Sequence, residues 1–364
     1  MRVGLICPYS LTIPGGVQGQ VLALARTLRV LGHDTRVLGP CDGPPPDAGV
    51  TPLGNSVPAA ANGSVAPLAP DPSAQLRTIR ALRDESFDVL HVHEPMCPGP
   101  TMTSLLFKSS PLVGTFHAAG VSAGYRWLKP GPRLLANRLD LRCAVSEDAR
   151  RLAATALGGE YTMVFNGVEI EQFATAKPWP TDGPTILFVG RHEPRKGLEV
   201  LLEAFADLPT DVRLWIGSDG PETARLQARF AGDPRIEWLG RISDAEKASR
   251  LRSAHVFCAP SLRGESFGVV LLEAMAARTA VVASDIPGYR NVARPDVEAL
   301  MATPGDAQSF RHALRRLLDD PDRRAELADA GERRTAQFSM LGLAERFVPV
   351  YESAVACAPV DRRS

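Results

Sequence analysis

Short apolar runs that each give way to a loop and then to helically spaced apolar residues recur along this chain, and that alternation constrains the fold more than any other feature. Residues 3–7 (Val-Gly-Leu-Ile-Cys) make a compact aliphatic strand. After Pro8 and the glycine pair Gly15-Gly16, residues Val21, Leu22, Leu24, Ala25 and Leu28 fall at helical spacing. Further strands are predicted at 35–38, 88–92 and 112–116 with helical stretches between them, the pattern of a doubly wound parallel α/β sheet. Residues 44–72, rich in Pro, Ala and Gly, read as loop. A strand at 162–165 and the turn Asn166-Gly167 follow, and Pro and Gly then crowd residues 177–184 as a linker would. Beyond it the pattern restarts, with strands predicted at 185–189, 212–216, 236–238, 256–259 and 280–284. A chain of 364 residues exceeds what one core usually covers, so two domains joined near that linker are expected. Leu341, Leu343, Ala344, Phe347, Val350 and Tyr351 predict a helical tail.

Composition excludes several classes. Forty-one basic residues balance 41 acidic ones, which argues against wholesale nucleic-acid binding. The apolar run at 3–7 is too short for a signal peptide or a membrane span, and no later run approaches that length, which predicts a cytoplasmic protein. Six cysteines without a C-x-x-C pair suggest neither zinc nor a disulfide framework.

The chemistry-bearing residues sit on the loops. Glu265-Ser266-Phe267-Gly268 leads into an apolar helix that carries Glu273, with seven residues between the two acids. Ser266 offers an N-cap oxygen, and Gly268 leaves the first helical N–H groups open to a phosphate; the competing reading is a buried helix with two solvated acids. Arg191 and Lys196, five apart across a proline turn, can both face one anion or can be solvated loop charges. Gly15 and Gly16 let backbone N–H groups approach a phosphate or sugar at a helix start, although the spacing is not G-x-G-x-x-G and a tight turn without ligand fits equally. His117 ends a strand at the carboxyl edge where open α/β sheets bind ligands, or is a packed strand-end histidine. His91, His93 and Glu94 close one strand without a third metal ligand in register, and read as wall rather than metal site. Asp319, Asp320 and Asp322 read as solvated helix caps. In 71–85, Leu76, Ile79 and Leu82 form a stripe beside Arg77, Arg80 and Arg83, a helix suited either to an anionic membrane or to covering the sheet.

Taken in order, Cys7-Pro8-Tyr9-Ser10, Pro14-Gly15-Gly16-Val17-Gln18, Asn62-Gly63-Ser64-Val65, His91-Val92-His93-Glu94-Pro95, Thr115-Phe116-His117, Asn166-Gly167-Val168, Gly190-Arg191, Glu193-Pro194-Arg195-Lys196-Gly197 and Gly264-Glu265-Ser266-Phe267-Gly268 span nearly the whole chain. This set resembles the retaining nucleotide-sugar glycosyltransferases of the GT-B fold, family four, and within them the actinobacterial phosphatidylinositol mannosyltransferases. The resemblance implies two Rossmann-like domains facing across a cleft: 1–170 on the acceptor side, 171–338 binding the nucleotide sugar, and 339–364 as a helix crossing back. It implies retaining transfer of mannose from GDP-mannose to phosphatidylinositol, peripheral to an anionic membrane at the inner face, with no cofactor and no metal. Arg191 and Lys196 would bind the donor diphosphate, Glu273 the ribose and Glu265 the transferred sugar, with Ser266, Phe267 and Gly268 completing the donor loop. Gly16 would meet the phosphate or sugar from the opposite domain, His117 the reacting sugar, and Tyr9 and Gln18 the acceptor. Because no carboxylate is clearly placed opposite the leaving group, front-face attack is preferred to a covalent intermediate.

Three departures bear on the acceptor and the membrane. Ala118, Ala119, Gly120 and Val121 stand where the family shows hydroxyl residues and a lysine; the 71–85 helix is less basic than the family's; and Arg278 replaces a common glycine. A family-four enzyme with another UDP- or GDP-linked donor, and a soluble or different lipid acceptor, is the alternative. A sugar-nucleotide epimerase and a two-lobed sugar-binding protein are more distant ones; the binding protein would need an export signal.

Overall fold

The aliphatic runs become strands because a parallel sheet covered on both faces buries every residue of its central strands, so such strands are apolar throughout rather than alternating. In the computed structural model, which describes residues 1–61, 64–118 and 131–357, β1 (Arg2–Ile6), β2 (Asp34–Gly39), β3 (Val50–Pro52), an antiparallel hairpin of β4 (Val57–Ala61) and β5 (Ser64–Leu68), β6 (Val89–His93), β7 (Leu112–Phe116), β8 (Leu141–Ala144) and β9 (Thr162–Met163) come first. The large sheet runs β3-β2-β1-β6-β7-β8-β9, all parallel. A second parallel sheet, β12-β11-β10-β13-β14-β15, uses β10 (Thr185–Val189), β11 (Arg213–Gly217), β12 (Ile236–Gly240), β13 (Val256–Ala259), β14 (Ala280–Ser284) and β15 (Ala299–Ala302). Both have the doubly wound order expected. Its core gathers Phe205, Phe310, Leu201, Leu214, Ile216 and Val282.

The chain forms two units, one of Met1–Gly167 with Met340–Ser364 and the other of Val168–Ser339. Within the first, Gly167 lies against Met340, whose Cα would stand 2.9 Å from a Cβ at position 167. Gln20, buried on the Gly16–Val30 helix, grips this point: its Nε2 donates to the Gly167 carbonyl at 2.7 Å and its Oε1 accepts the Gly167 N–H at 2.8 Å. The Met340–Ala356 helix lays Phe347 and Tyr351 against the first sheet, and the Tyr351 hydroxyl lies 2.8 Å from His91 Nδ1.

Four expectations are corrected. The 44–72 stretch holds three strands; Pro58 and Pro67 face each other in the hairpin, and their composition masks it. The strands β8 and β15 escape notice because Arg142 interrupts one and the other is a short Ala-Leu-Met-Ala run. Residues 177–184 are no linker but belong to the second unit, where the Trp179 N–H bonds to the Ser249 carbonyl and the Arg250 guanidinium stacks 4.3 Å from the Trp179 ring. The Pro72–Asp84 helix, capped by Asp71, buries Ala74, Thr78, Ala81 and Leu82, whereas Leu76 points outward, 68% exposed. Small side chains admit closer packing than the leucine stripe would, and so set which face turns inward. Asp320 does cap its helix, accepting from the Arg323 N–H at 2.8 Å.

Replacing Gln20 with alanine leaves a buried N–H and a buried carbonyl at Gly167 without their partners, at a cost of about 2–4 kcal/mol. Thermal and urea melts of Gln20→Ala should show the loss; an unchanged midpoint would contradict this reading.

Candidate functional site

In the second unit the loop after β10 turns through the 3-10 segment Pro194–Lys196 and reaches Gly197 at φ +68°, where a Cβ would fall 2.0 Å from the Pro260 carbonyl oxygen. Only glycine permits that approach. The loop is therefore pressed onto the one following β13, and the Leu262 N–H bonds to the Arg195 carbonyl at 2.7 Å. The contact brings Lys196 Nζ to 2.6 Å from Glu265 Oε1, with Arg195 Nη1 at 3.1 Å and Ser261 Oγ at 3.2 Å from the same oxygen. Burial pushes the Glu265 carboxyl up, but Lys196 and Arg195 together outweigh it and hold it below its usual range. Arg195 also binds Glu193 at 3.0 Å, and Arg191 approaches Glu193 at 3.4 Å. Arg191, Glu193, Arg195, Glu265 and Lys196 thus alternate in sign along a ladder, and three cations against two carboxylates leave it net positive.

Beside the ladder the Val269–Ala276 helix starts from Gly268, which is its N-cap at φ +99°. Ser266 is not the cap: the left-handed turn at Gly268 puts it two residues too early, and its carbonyl instead accepts from Asn291 Nδ2 at 3.1 Å. Gly268 has no side chain to cap this helix, which leaves its first N–H groups suited to an anion. Phe267 is buried edge-on against Phe338. Glu273 accepts from Lys247 Nζ at 2.8 Å. Burial alone would lower the Lys247 ammonium, yet Glu273 and Asp244 more than reverse this and raise it. Neither Lys247 nor Arg195 stood out in the sequence. Lys247 lies in a polar helix, Asp244–Ser253, that carries no motif, and Arg195 was one of several basic residues in its loop.

In the first unit Gly16 opens its helix, and among the described residues nothing lies within 4 Å of the place a Cβ would occupy. Gln18 is buried and its Nε2 donates to the Ile13 carbonyl at 3.2 Å, so it shapes the glycine loop from within. Tyr9 is half-buried with its hydroxyl 3.7 Å from Cys97 Sγ, and burial raises its phenol. His117 is buried beyond the end of β7, its Nε2 3.0 Å from His93 Nδ1 and its side chain bonded to that of Asn166. Burial brings the His117 ring down to about 4, so it is neutral at physiological pH. Glu94 Oε1 accepts the N–H of His117 at 2.7 Å and of Ala118 at 2.5 Å, and burial pushes its carboxyl up to about 7. His91 bonds Tyr351 and Thr115. Among the described residues no three His, Cys, Asp or Glu side chains gather as a metal site. Ala119, Gly120, Val121, Asn62 and Gly63 lie outside the described residues.

On the Pro72–Asp84 helix, Arg77 Nε donates to the Leu53 carbonyl at 2.7 Å, Arg83 lies over the Phe107 ring, and Arg80, its side chain 84% exposed, stands 3.5 Å from Asp84.

Comparison with known proteins covers both units. Residues 169–334 match the family described as Glycosyl transferases group 1, and residues 14–172 match Glycosyltransferase Family 4. The chain is 39% identical to the phosphatidyl-myo-inositol mannosyltransferase of Mycobacterium leprae, over 97% of each chain, and 40% identical to that of Mycobacterium tuberculosis, again over 97% of each. Among solved structures, sucrose-phosphate synthase from Thermosynechococcus elongatus superposes with a TM-score of 0.75 at 19% identity, covering 98% of this chain and 100% of that one.

Glu94 yields a pH test. Its folded pKa stands above the unfolded value near 4.5, so the native state holds its proton more tightly and the contribution of Glu94 to stability falls as pH rises from about 4.5 to about 7, then levels. Glu94→Gln has no such titration. Its melting temperature should therefore gain on wild type across that window by the equivalent of about 3 kcal/mol, and a pH-independent difference would refute the assignment.

Proposed function

We propose, since this chain belongs to the family-four glycosyltransferases with the GT-B fold, that it moves mannose from GDP-mannose onto a hydroxyl of phosphatidylinositol with retention at the sugar. The observation that carries the reading is the near full-length likeness to relatives of that name. In this reading Arg191 and Lys196, with the open N–H groups after Gly268, hold the donor diphosphate. They stabilise the charge that builds on it as the glycosidic bond breaks, as preorganised donors do without reorganising. Glu273, oriented by Lys247, accepts the ribose hydroxyls, and Glu265 those of the sugar. Gly16 allows close approach of a phosphate or sugar, the neutral His117 meets the reacting sugar, and Tyr9 and Gln18 serve the acceptor side. The departing phosphate oxygen takes the acceptor's proton as that hydroxyl attacks from the same face. What supports the donor half is the net positive ladder beside an uncapped helix start.

Ala118 favours a second reading for the acceptor alone: a methyl group offers no hydrogen bond to an inositol phosphate, so another hydroxyl compound remains in view. No helix among the described residues is long and apolar enough to cross a membrane. The reading places the enzyme against an anionic bilayer through the exposed Leu76 and Arg80 of the Pro72–Asp84 helix, beside Arg77 and Arg83.

GDP should raise the melting temperature more than UDP, because a ligand that binds only the native state stabilises it by mass action. Incubation with GDP-mannose and phosphatidylinositol should give an α-mannoside. Stabilisation by UDP alone would sink the mannosyl assignment, and a β-linked product the retaining one.

Arg80→Gln with Arg83→Gln leaves the Arg77 bond to Leu53 in place and should weaken binding to phosphatidylserine vesicles by about 2 kcal/mol, roughly thirty-fold. Added salt should mimic it. A parent protein that ignores such vesicles at low salt removes the membrane reading.

A further inference from the structure

Strand β6 ends at His93, and His93 and the next residue, Glu94, both reach His117, just beyond the end of β7. Successive side chains of an extended strand point to opposite faces, so His93 and Glu94 should part company. Glu94 instead adopts φ +47°, the left-handed region that a residue with a Cβ enters at a cost of roughly 1–2 kcal/mol. Its N–H still pairs with the Thr115 carbonyl at 2.8 Å, while its carboxylate swings round to take the N–H groups of His117 and Ala118 on one oxygen. His93 meanwhile holds the ring: its Nδ1 stands 3.0 Å from His117 Nε2, with the two imidazoles stacked at 5.2 Å and 25°. The other nitrogen of His93, Nε2, is buried and finds no hydrogen-bond partner among the described residues, so the ring's hydrogen bond goes to His117.

We propose that His93 and Glu94 are positioning residues that clamp His117 at two points, Glu94 by its main chain and His93 by its imidazole. The inference rests on the reading that His117 meets the reacting sugar. Both rings are neutral in this buried column, so a single proton occupies the bond between them, and His93, together with Asn166 on the same ring, fixes which nitrogen of His117 carries its hydrogen. The register His93↔Thr115 brings the two strand ends level, and the strained turn at Glu94 converts that alignment into a grip. Holding a substrate-facing group is worth this strain, since a misplacement of about 1 Å in an active site costs on the order of a hundredfold in rate.

The test is a cycle of variants in the full-length enzyme, read by turnover of GDP-mannose with phosphatidylinositol or water as acceptor, by GDP affinity, and by the 15N resonances of selectively labelled histidine. His93→Phe should lower kcat about tenfold or more with GDP affinity unchanged, and His93→Asn, whose amide lies near the Nδ1 position, should recover most of it. In a His117→Ala background His93→Phe should cost nothing further, because a residue that works only through His117 has nothing left to position. Glu94→Ala should lose about a hundredfold, and Glu94→Gln, which keeps an oxygen for both N–H groups, should recover at least about tenfold of that. His93→Phe should also shift the His117 ring 15N signals; unchanged signals overturn the clamp whatever the substrate proves to be. Losses that multiply in the double variant overturn it too, as does wild-type turnover in His93→Phe while His117→Ala is impaired. If His117→Ala itself turns over at the wild-type rate, it is the reading of His117 that falls, and the clamp's catalytic role with it.

Discussion

Every pairing within the two large sheets is parallel, and that constraint sets where chemistry can occur: each strand must deliver its carboxyl end to the same edge as its neighbours. In each sheet the chain also reverses its direction of travel at one strand. β1 lies between β2 and β6, and β10 lies between β11 and β13, so the loops after β1 and β6, and those after β10 and β13, part to opposite faces and leave a crevice. The glycine loop ending at Gly16 and the His93-Glu94 turn occupy the first of these positions. Arg191 to Lys196 and Ser261 to Gly268 occupy the second. Lys196 and Glu265, 69 residues apart, meet because β10 and β13 are hydrogen-bonded neighbours.

Charge at the second position is arranged by the protein's own side chains. Cations crowded on one loop would repel one another, and Glu193 from that loop and Glu265 from the next prevent this by alternating with Arg191, Arg195 and Lys196. Burial penalises the Glu265 carboxylate, yet the paired cations keep it ionised. The result is a rigid acceptor in hydrogen-bonding terms, with fixed donors around it and one positive charge in excess. Such an arrangement suits a reaction whose main demand is stabilising a departing diphosphate, since fixed dipoles and charges need no reorganisation as that charge develops. Tyr289, bonded through Ser261 to this oxygen, extends the support into the core.

How far the sequence could be read follows from what periodicity reports. Aliphatic runs mark the central strands, because burial on both faces leaves few polar residues, such as His91 and Thr115, to interrupt them, and Arg191, Lys196, Glu265 and His117 stand out as polar residues on the loops that follow. The hairpin of β4 and β5 stayed hidden because Pro58 and Pro67 read as loop residues until each is seen opposite the other. Leu76 and Leu82 share one stripe in the sequence yet only Leu82 is buried, because helical spacing gives a stripe without saying which side a small-residue neighbour will admit. Ser266 reads as a cap because cap chemistry is legible in a sequence and the left-handed φ of Gly268 is not. Partners such as Lys247 on Glu273 lie beyond any local pattern, since 26 residues and a sheet strand separate them.

The two local departures from the family pattern behave differently, and the difference is physical. Arg278 stands where glycine is common and does adopt the left-handed φ of +59° that explains the glycine; its guanidinium pairs with Asp329 and Glu332 on the Pro321–Thr335 helix, so the strain is offset where it arises. Ala118 has lost a hydroxyl, but Glu94 grips its main-chain N–H, which every residue except proline provides. The side chain at 118 is thereby uncoupled from the placement of His117. On the proposed reading, a site built this way holds His117 by backbone and neighbour while the positions just beyond vary, and a change of acceptor would then leave the donor chemistry in place.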